Sequence, residues 1–92
     1  MATYRGTATL IVWNSLEHPI EFVGTTELGT GLMFWHGAAV CGRIPVDAER
    51  AEGRLRIGGR EARCEFTVHR PSPESSSCAL VIVGDGFEDP PF

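Results

Sequence analysis

One stretch of the sequence, residues 54–68, alternates apolar with polar side chains on both sides of a glycine pair. The apolar positions are Leu55 and Ile57 before the pair Gly58-Gly59, and Ala62, Cys64, Phe66 and Val68 after it. Alternation with a period of two places every second side chain on the same face of a strand. Two glycines between such runs are typical of a tight β-hairpin turn. The stretch therefore predicts a hairpin, and it restricts the chain to folds that contain an antiparallel sheet.

Four further segments have the β-branched and aromatic composition of strands. They are Thr7–Trp13, Ile20–Leu28, Leu32–Val40 and Cys78–Gly84. Turn-forming residues at 14–18 and glycines at 29 and 31 separate the first three, which predicts a meander. The segment Cys78–Gly84 is the most apolar, and this indicates a central strand of the sheet.

The remaining segments carry weaker patterns. Within Cys41–Gly53 the stretch Asp47–Arg50 is predicted to form a single helical turn capped by Asp47. Arg70–Ser77 is predicted to be a loop, and Asp85–Phe92, interrupted by two prolines, to lie extended across the sheet edge. We expect one domain over residues 1–92. Its fold class is all-β, with about six mainly antiparallel strands in a small barrel or strongly curved rolled sheet and at most one short helical turn.

Charge and chain length exclude several classes of function. The net charge of −4 gives no attraction to nucleic acid or to an anionic membrane surface, so neither is an expected partner. The sequence contains no lysine, which rules out a Schiff base on this chain. The longest apolar run, Cys78–Val83, is far too short to span a bilayer, and residues 1–13 do not resemble a secretory signal. We expect a cytoplasmic protein.

The cysteines and histidines predict neither a disulfide framework nor a metal site. Cys64 and Cys78 occupy apolar strand positions and are expected in the core, whereas Cys41 is expected in a more exposed turn. The three histidines are too widely spaced for a recurring metal-ligand motif. No phosphate-binding loop is recognisable either. The sequence therefore predicts no metal and no cofactor.

A candidate catalytic group involves His36, which directly follows Trp35. Alternation places His36 on the same strand face as Phe34, where an apolar pocket would make it a buried acid or base. A carboxylate partner could come from Asp85, just after the last strand, or from Glu27. The alternative is a histidine that is merely hydrogen-bonded at a strand end, beside a solvated acidic tail.

The aromatic side chains, together with Met33, exceed what a minimal core needs if both faces of the sheet are apolar. Those that we expect to line a ligand-binding or docking surface are Trp13, Phe22, Met33, Phe34 and Trp35. An apolar pocket with few polar groups binds small hydrophobic molecules, whereas an exposed apolar face marks a protein partner. Self-association into a homo-oligomer would cover the same side chains.

The sequence also resembles a family of small all-β domains from high-GC bacteria that occur alone or C-terminal to flavin-dependent monooxygenases. The similar segments are YRGTATLIV at 4–12, GLMFWHG at 31–37, the glycine hairpin at 58–59 and VGDGFEDPPF at 83–92. In such domains a histidine precedes the tryptophan of the third strand, whereas here Phe34 precedes it and His36 follows. The resemblance implies an accessory role in oxidative or secondary metabolism and names no reaction.

Two functions are consistent with these observations. The first is a small β module that binds a hydrophobic metabolite or docks onto a flavin-dependent enzyme. The second is a stand-alone isomerase, cyclase or hydrolase in which His36 and a carboxylate transfer protons in an apolar pocket.

Overall fold

The computed structural model describes residues 2–12, 16–28, 33–42, 50–69, 77–85 and 88–92. These ranges contain six strands and no helix. The strands are β1 (Thr3–Val12), β2 (Leu16–Leu28), β3 (Met33–Gly42), β4 (Arg50–Ile57), β5 (Arg60–His69) and β6 (Ser77–Gly84). The helical turn predicted at 47–50 lies outside the described residues except for Arg50, where that prediction is wrong because Arg50 begins β4. Within the same ranges there is accordingly no helix long and apolar enough to cross a membrane.

The six strands form a closed antiparallel barrel in the order β1-β2-β3-β6-β5-β4. Two three-stranded meanders, β1-β2-β3 and β4-β5-β6, meet along the β3–β6 and β1–β4 pairs. The predicted all-β antiparallel fold is confirmed. Of the two predicted architectures, a small barrel and a rolled sheet, the structure has the barrel. Closure gives each described strand a neighbour on both sides, which protects the sheet edges.

The predicted glycine hairpin joins β4 to β5. Ile57 pairs with Arg60, and Gly58-Gly59 form the two-residue turn between them. Gly58 has a φ of 61°, in the left-handed region that primed hairpin turns require and that glycine adopts without a Cβ clash. The alternation on either side of the turn therefore fixes which side chains enter the barrel.

Side chains fill the barrel interior. Residues that alternate along each strand point inward, and the largest of them are almost completely buried. These are Leu10, Val12, Phe22, Trp35, Leu55, Cys64, Phe66, Leu80 and Ile82. Burial of this apolar surface is the main favourable contribution to folding.

Three glycines make room for the two largest inward rings in this region. A Cβ at Gly84 would lie 2.1 Å from Nε1 of Trp35, and one at Gly24 would lie 2.4 Å from the Phe22 ring. A Cβ at Gly37 would lie 2.6 Å from Cε1 of Phe22 and 2.3 Å from the carbonyl oxygen of Val23. Because these distances are far below van der Waals contact, glycine at each position is a packing requirement.

The barrel wall is uneven at the β1–β4 seam. β1 pairs with β2 along ten residues, from Thr3 to Val12, but it pairs with β4 only from Thr9 to Val12. The first half of β1 and the β2 and β3 segments beside it therefore extend past the end of β4. The inner side of this extension is covered by residues 88–92, which we call the strap.

The cysteines are all buried and free. Cys64 and Cys78 lie in the core as predicted, but the prediction of an exposed Cys41 is wrong, because β3 continues to Gly42 and turns this side chain inward opposite Cys78. Burial is the main factor that raises the pKa of Cys41 to about 11, and the neighbouring Cys78 adds to it. Burial likewise raises the pKa of Cys64 to about 12.

We therefore expect the thiols of the folded protein to resist modification. Burial shields all three thiols from a reagent, and the raised pKa values of Cys41 and Cys64 leave these two with little of the reactive thiolate at pH 8. Reaction with an aromatic disulfide reagent, followed by absorbance, should be at least about 100-fold slower in buffer than in denaturant. The denatured chain, in which all three thiols react, is the control. Rapid labelling of one thiol in the folded protein would contradict this expectation.

Candidate functional site: an apolar outer face

The barrel separates the side chains predicted to line one ligand-binding surface. Phe22 and Trp35 point inward and are 1% exposed each, whereas Phe34 points outward and is 43% exposed. Met33 begins β3. Trp13 lies outside the described residues. Alternation along β3 is the reason that neighbouring aromatic residues lie on opposite sides of the barrel wall.

His36 lies on the outer surface beside Glu27. Its Nε2 is 3.6 Å from Oε1 of Glu27, and the two side chains are 50% and 60% exposed. His36 and Phe34 do share a face, as predicted, but the expectation that this histidine is buried is wrong, because the shared face is the outer one. Both side chains of this pair are therefore in contact with solvent.

Asp85 contacts a different part of the barrel. Its Oδ2 lies 3.9 Å from Nε of Arg63 on β5, and it borders a groove with Cys64 and Glu65. His36, in contrast, contacts Glu27 on β2. Of the two carboxylates predicted as partners of His36, Glu27 therefore lies beside the histidine, whereas Asp85 lies beside Arg63.

The outer surface of β2, β3 and β6 carries a continuous set of aliphatic side chains, all of them exposed. We call this set the valine face. Its members are Val23, Ala38, Val40, Ala79, Val81 and Val83. Val23, Ala38 and Val81 form one row across the three strands, and Val40 and Ala79 form the next. Cross-strand register therefore turns scattered aliphatic residues into one patch.

Polar and charged residues surround the valine face. Arg5 is next to Val23 in the register, and Glu21 is next to Val40. His36 and Glu65 flank Val83 on either side. A groove of about 510 Å³ runs over the patch between Arg5 and Glu21. An apolar centre with a polar rim is the usual anatomy of a protein–protein interface.

The opposite side of the barrel, on β4 and β5, carries arginines that are paired with carboxylates. Arg56 contacts Glu17, and Arg54 contacts both Glu61 and Glu88. We call this surface, together with Arg63 beside Asp85, the arginine face. A groove of about 660 Å³ crosses it, but the arginines that line the groove already have acidic partners, so it offers little net positive charge to an anion.

Glu88 fastens the strap to the arginine face. It accepts a 2.7 Å hydrogen bond from the backbone N–H of Arg63 and a 3.0 Å hydrogen bond from Nη2 of Arg54. The bond from Arg63, followed by that from Arg54, holds the pKa of Glu88 below its usual range. Beyond Glu88, Pro90 and Pro91 are buried. The carboxylate thus positions the residues after it against the barrel.

The valine face is a candidate surface that the sequence analysis missed. The signal lay in the run Cys78–Val83, which is apolar at both odd and even positions. The apolar character of that run predicts a central strand and does not indicate an exposed face. In the barrel one side of β6 faces the core, and the other, with Ala79, Val81 and Val83, faces solvent.

Within the described ranges, no three histidine, cysteine or acidic side chains cluster closely enough to hold a metal ion. Comparison of the chain with known protein families, with curated proteins and with solved structures finds no match. A function must therefore be inferred from the sequence and the geometry of the chain's own residues.

Proposed function

We propose that this protein is a non-catalytic β-barrel module that docks onto a partner protein through the valine face. The observation that carries the proposal is the concentration of exposed aliphatic side chains on three adjacent strands, while the arginine face is densely charged. Monomeric proteins rarely expose contiguous apolar patches of more than a few hundred Å² unless the patch binds something. A partner protein bound to the valine face would remove this patch from water.

The partner class comes from the sequence resemblance. Similar domains accompany flavin-dependent monooxygenases, so we propose such a flavoenzyme in oxidative or secondary metabolism as the partner, and the cytoplasm as the compartment. The net charge of −4 agrees with a protein partner in preference to nucleic acid or an anionic membrane. Arg5 and Glu21 at the rim would fix the orientation of the bound partner.

We expect Val23→Glu to weaken partner binding by at least about 100-fold, because the interface would have to bury a charged carboxylate in place of an apolar side chain. The matched control is Leu16→Glu. Leu16 and Val23 are both 48% exposed, but Leu16 begins β2 and lies outside the valine face. The free energy of unfolding of both variants should lie within about 0.5 kcal/mol of that of the parent protein, since the changed side chains are on the surface.

The measurement is biolayer interferometry with a purified flavin-dependent monooxygenase from the same organism, together with light scattering of the chain alone. Selective loss of binding in Val23→Glu supports the proposal. Equal binding by the two variants would contradict it. A homodimer that Val23→Glu dissociates, with no binding to the monooxygenase, would also contradict it, because a second copy would then cover the face.

A second candidate, the small stand-alone enzyme, is favoured by the contact between His36 and Glu27. A histidine beside a carboxylate is a common acid–base pair. Turnover of an isomerase, cyclase or hydrolase substrate that disappears in His36→Ala and in Glu27→Gln would replace docking with this function. Docking remains our proposal because both side chains of this pair are exposed to solvent.

A further inference from the structure

The extended part of β1, β2 and β3 forms a trough lined with aromatic rings. Tyr4, Phe22 and Trp35 contribute the rings, and ring centroids are 6.4 Å apart both between Tyr4 and Phe22 and between Phe22 and Trp35. Gly24 and Gly37 keep the floor of the trough free of further side chains. Because β4 does not pair with the first half of β1, none of the six described strands covers this side.

The side chain of Phe92 occupies the trough. Its ring centroid lies 5.9 Å from Tyr4, 5.8 Å from Phe22 and 6.1 Å from Trp35. The ring is tilted 36° to Tyr4 and lies edge-on to the other two, which are favourable arrangements of aromatic pairs. One phenyl ring thus contacts three aromatic walls.

The strap that carries Phe92 lies outside the barrel's hydrogen-bond ladder. No backbone–backbone hydrogen bond joins residues 88–92 to the described strands. Pro90 and Pro91 have no N–H to donate. The hydrogen bonds that hold the strap in the described residues are the two that Glu88 accepts. The strap can therefore move away while every strand pair of the barrel stays intact.

We propose that the trough is a binding site for a small planar aromatic molecule, and that Phe92 is an internal occupant which such a ligand displaces. The shape and chemistry of the occupant define the ligand class: one or two fused rings without charge. A ligand must compete with a ring already in place. Its apparent affinity is therefore its affinity for the open trough multiplied by the fraction of molecules whose strap is released. This site is separate from the valine face and does not depend on docking there.

The test uses the full chain and indole as the probe. Glu88→Gln removes the negative charge that Arg54 and the Arg63 N–H bind, but it keeps the Phe92 ring. We expect it to bind indole about tenfold more tightly than the parent, because the released fraction rises. The control is Glu65→Gln, which removes a carboxylate 2.9 Å from Arg50 on the barrel surface, outside the strap. This control should bind as the parent does.

Nuclear magnetic resonance locates the bound probe. In Glu88→Gln and in a second variant, Phe92→Ala, we expect Overhauser contacts from indole protons to the rings of Tyr4 and Trp35. Equal affinities in the parent, Glu88→Gln and Glu65→Gln would overturn the displacement of Phe92. Should Glu88→Gln fail to fold, Phe92→Ala decides alone. Absence of contacts to Tyr4 and Trp35 in Phe92→Ala would overturn the site itself.

Discussion

Gly84→Ala is expected to lower the free energy of unfolding by about 3 kcal/mol, an unusually large effect for the addition of one methyl group. The new Cβ would lie 2.1 Å from Nε1 and 2.4 Å from Cε2 of Trp35. Trp35 is 1% exposed and its ring contacts Phe22 and Phe92, so it has little room to move. Either the indole or β6 must shift, and both are parts of the packed core.

The control for this variant is Gly42→Ala at the end of β3. A Cβ there meets no described atom within 4 Å, so we expect a change within about 0.5 kcal/mol, or a slight gain from the stiffer unfolded chain. Urea unfolding followed by circular dichroism measures both variants. Similar stabilities of the two would contradict the packing of Trp35 against Gly84.

Trp35→Ala is expected to cost about 3–5 kcal/mol, because it leaves a large void in a filled interior. Its neighbour provides the control: Phe34 is 43% exposed on the outer surface, and Phe34→Ala should change stability by less than about 1 kcal/mol. Stabilities of small domains are commonly about 5–15 kcal/mol, so Trp35→Ala removes a large share of the total. The same denaturation measurement applies, and equal losses at the two positions would contradict the inward and outward assignment along β3.

Local patterns in the sequence were sufficient to predict most of the strands. The alternation of Leu55 and Ile57 with arginines, and the glycine turn after them, locate one hairpin without reference to the rest of the chain. The observed start of the first strand differs from the predicted one. β1 begins at Thr3 and not at Thr7, because pairing with β2 organises residues whose own composition is less strand-like.

Closure of the barrel depends on contacts that leave no local signal. The β1–β4 pairing joins Val12 to Gly53, and the β3–β6 pairing joins Gly42 to Ser77, across segments of no regular pattern. The position of Cys41 is a consequence of the same pairing, because β3 extends to meet β6. The hydrogen bond between Arg54 and Glu88, 34 residues apart, is equally invisible in the sequence.

The candidate sites show the same division between local and non-local information. Alternation correctly placed Phe34 and His36 on one face, but it could not distinguish a core face from a surface face. The valine face required the register of three strands, one of which is distant in sequence from the other two. The trough required both the short β1–β4 seam and the strap, which no periodicity indicates.

The most direct test of docking through the valine face is a methyl-detected nuclear magnetic resonance titration of the chain with the flavin-dependent monooxygenase. We predict that the methyl signals of Val23, Val40, Val81 and Val83 shift or broaden. Those of Ile11, which lines the groove on the arginine face, and of Ile57, which ends β4 and packs against the core, should not change. Changes concentrated at Ile11 and Ile57, or no change at any methyl group, would contradict the proposed function.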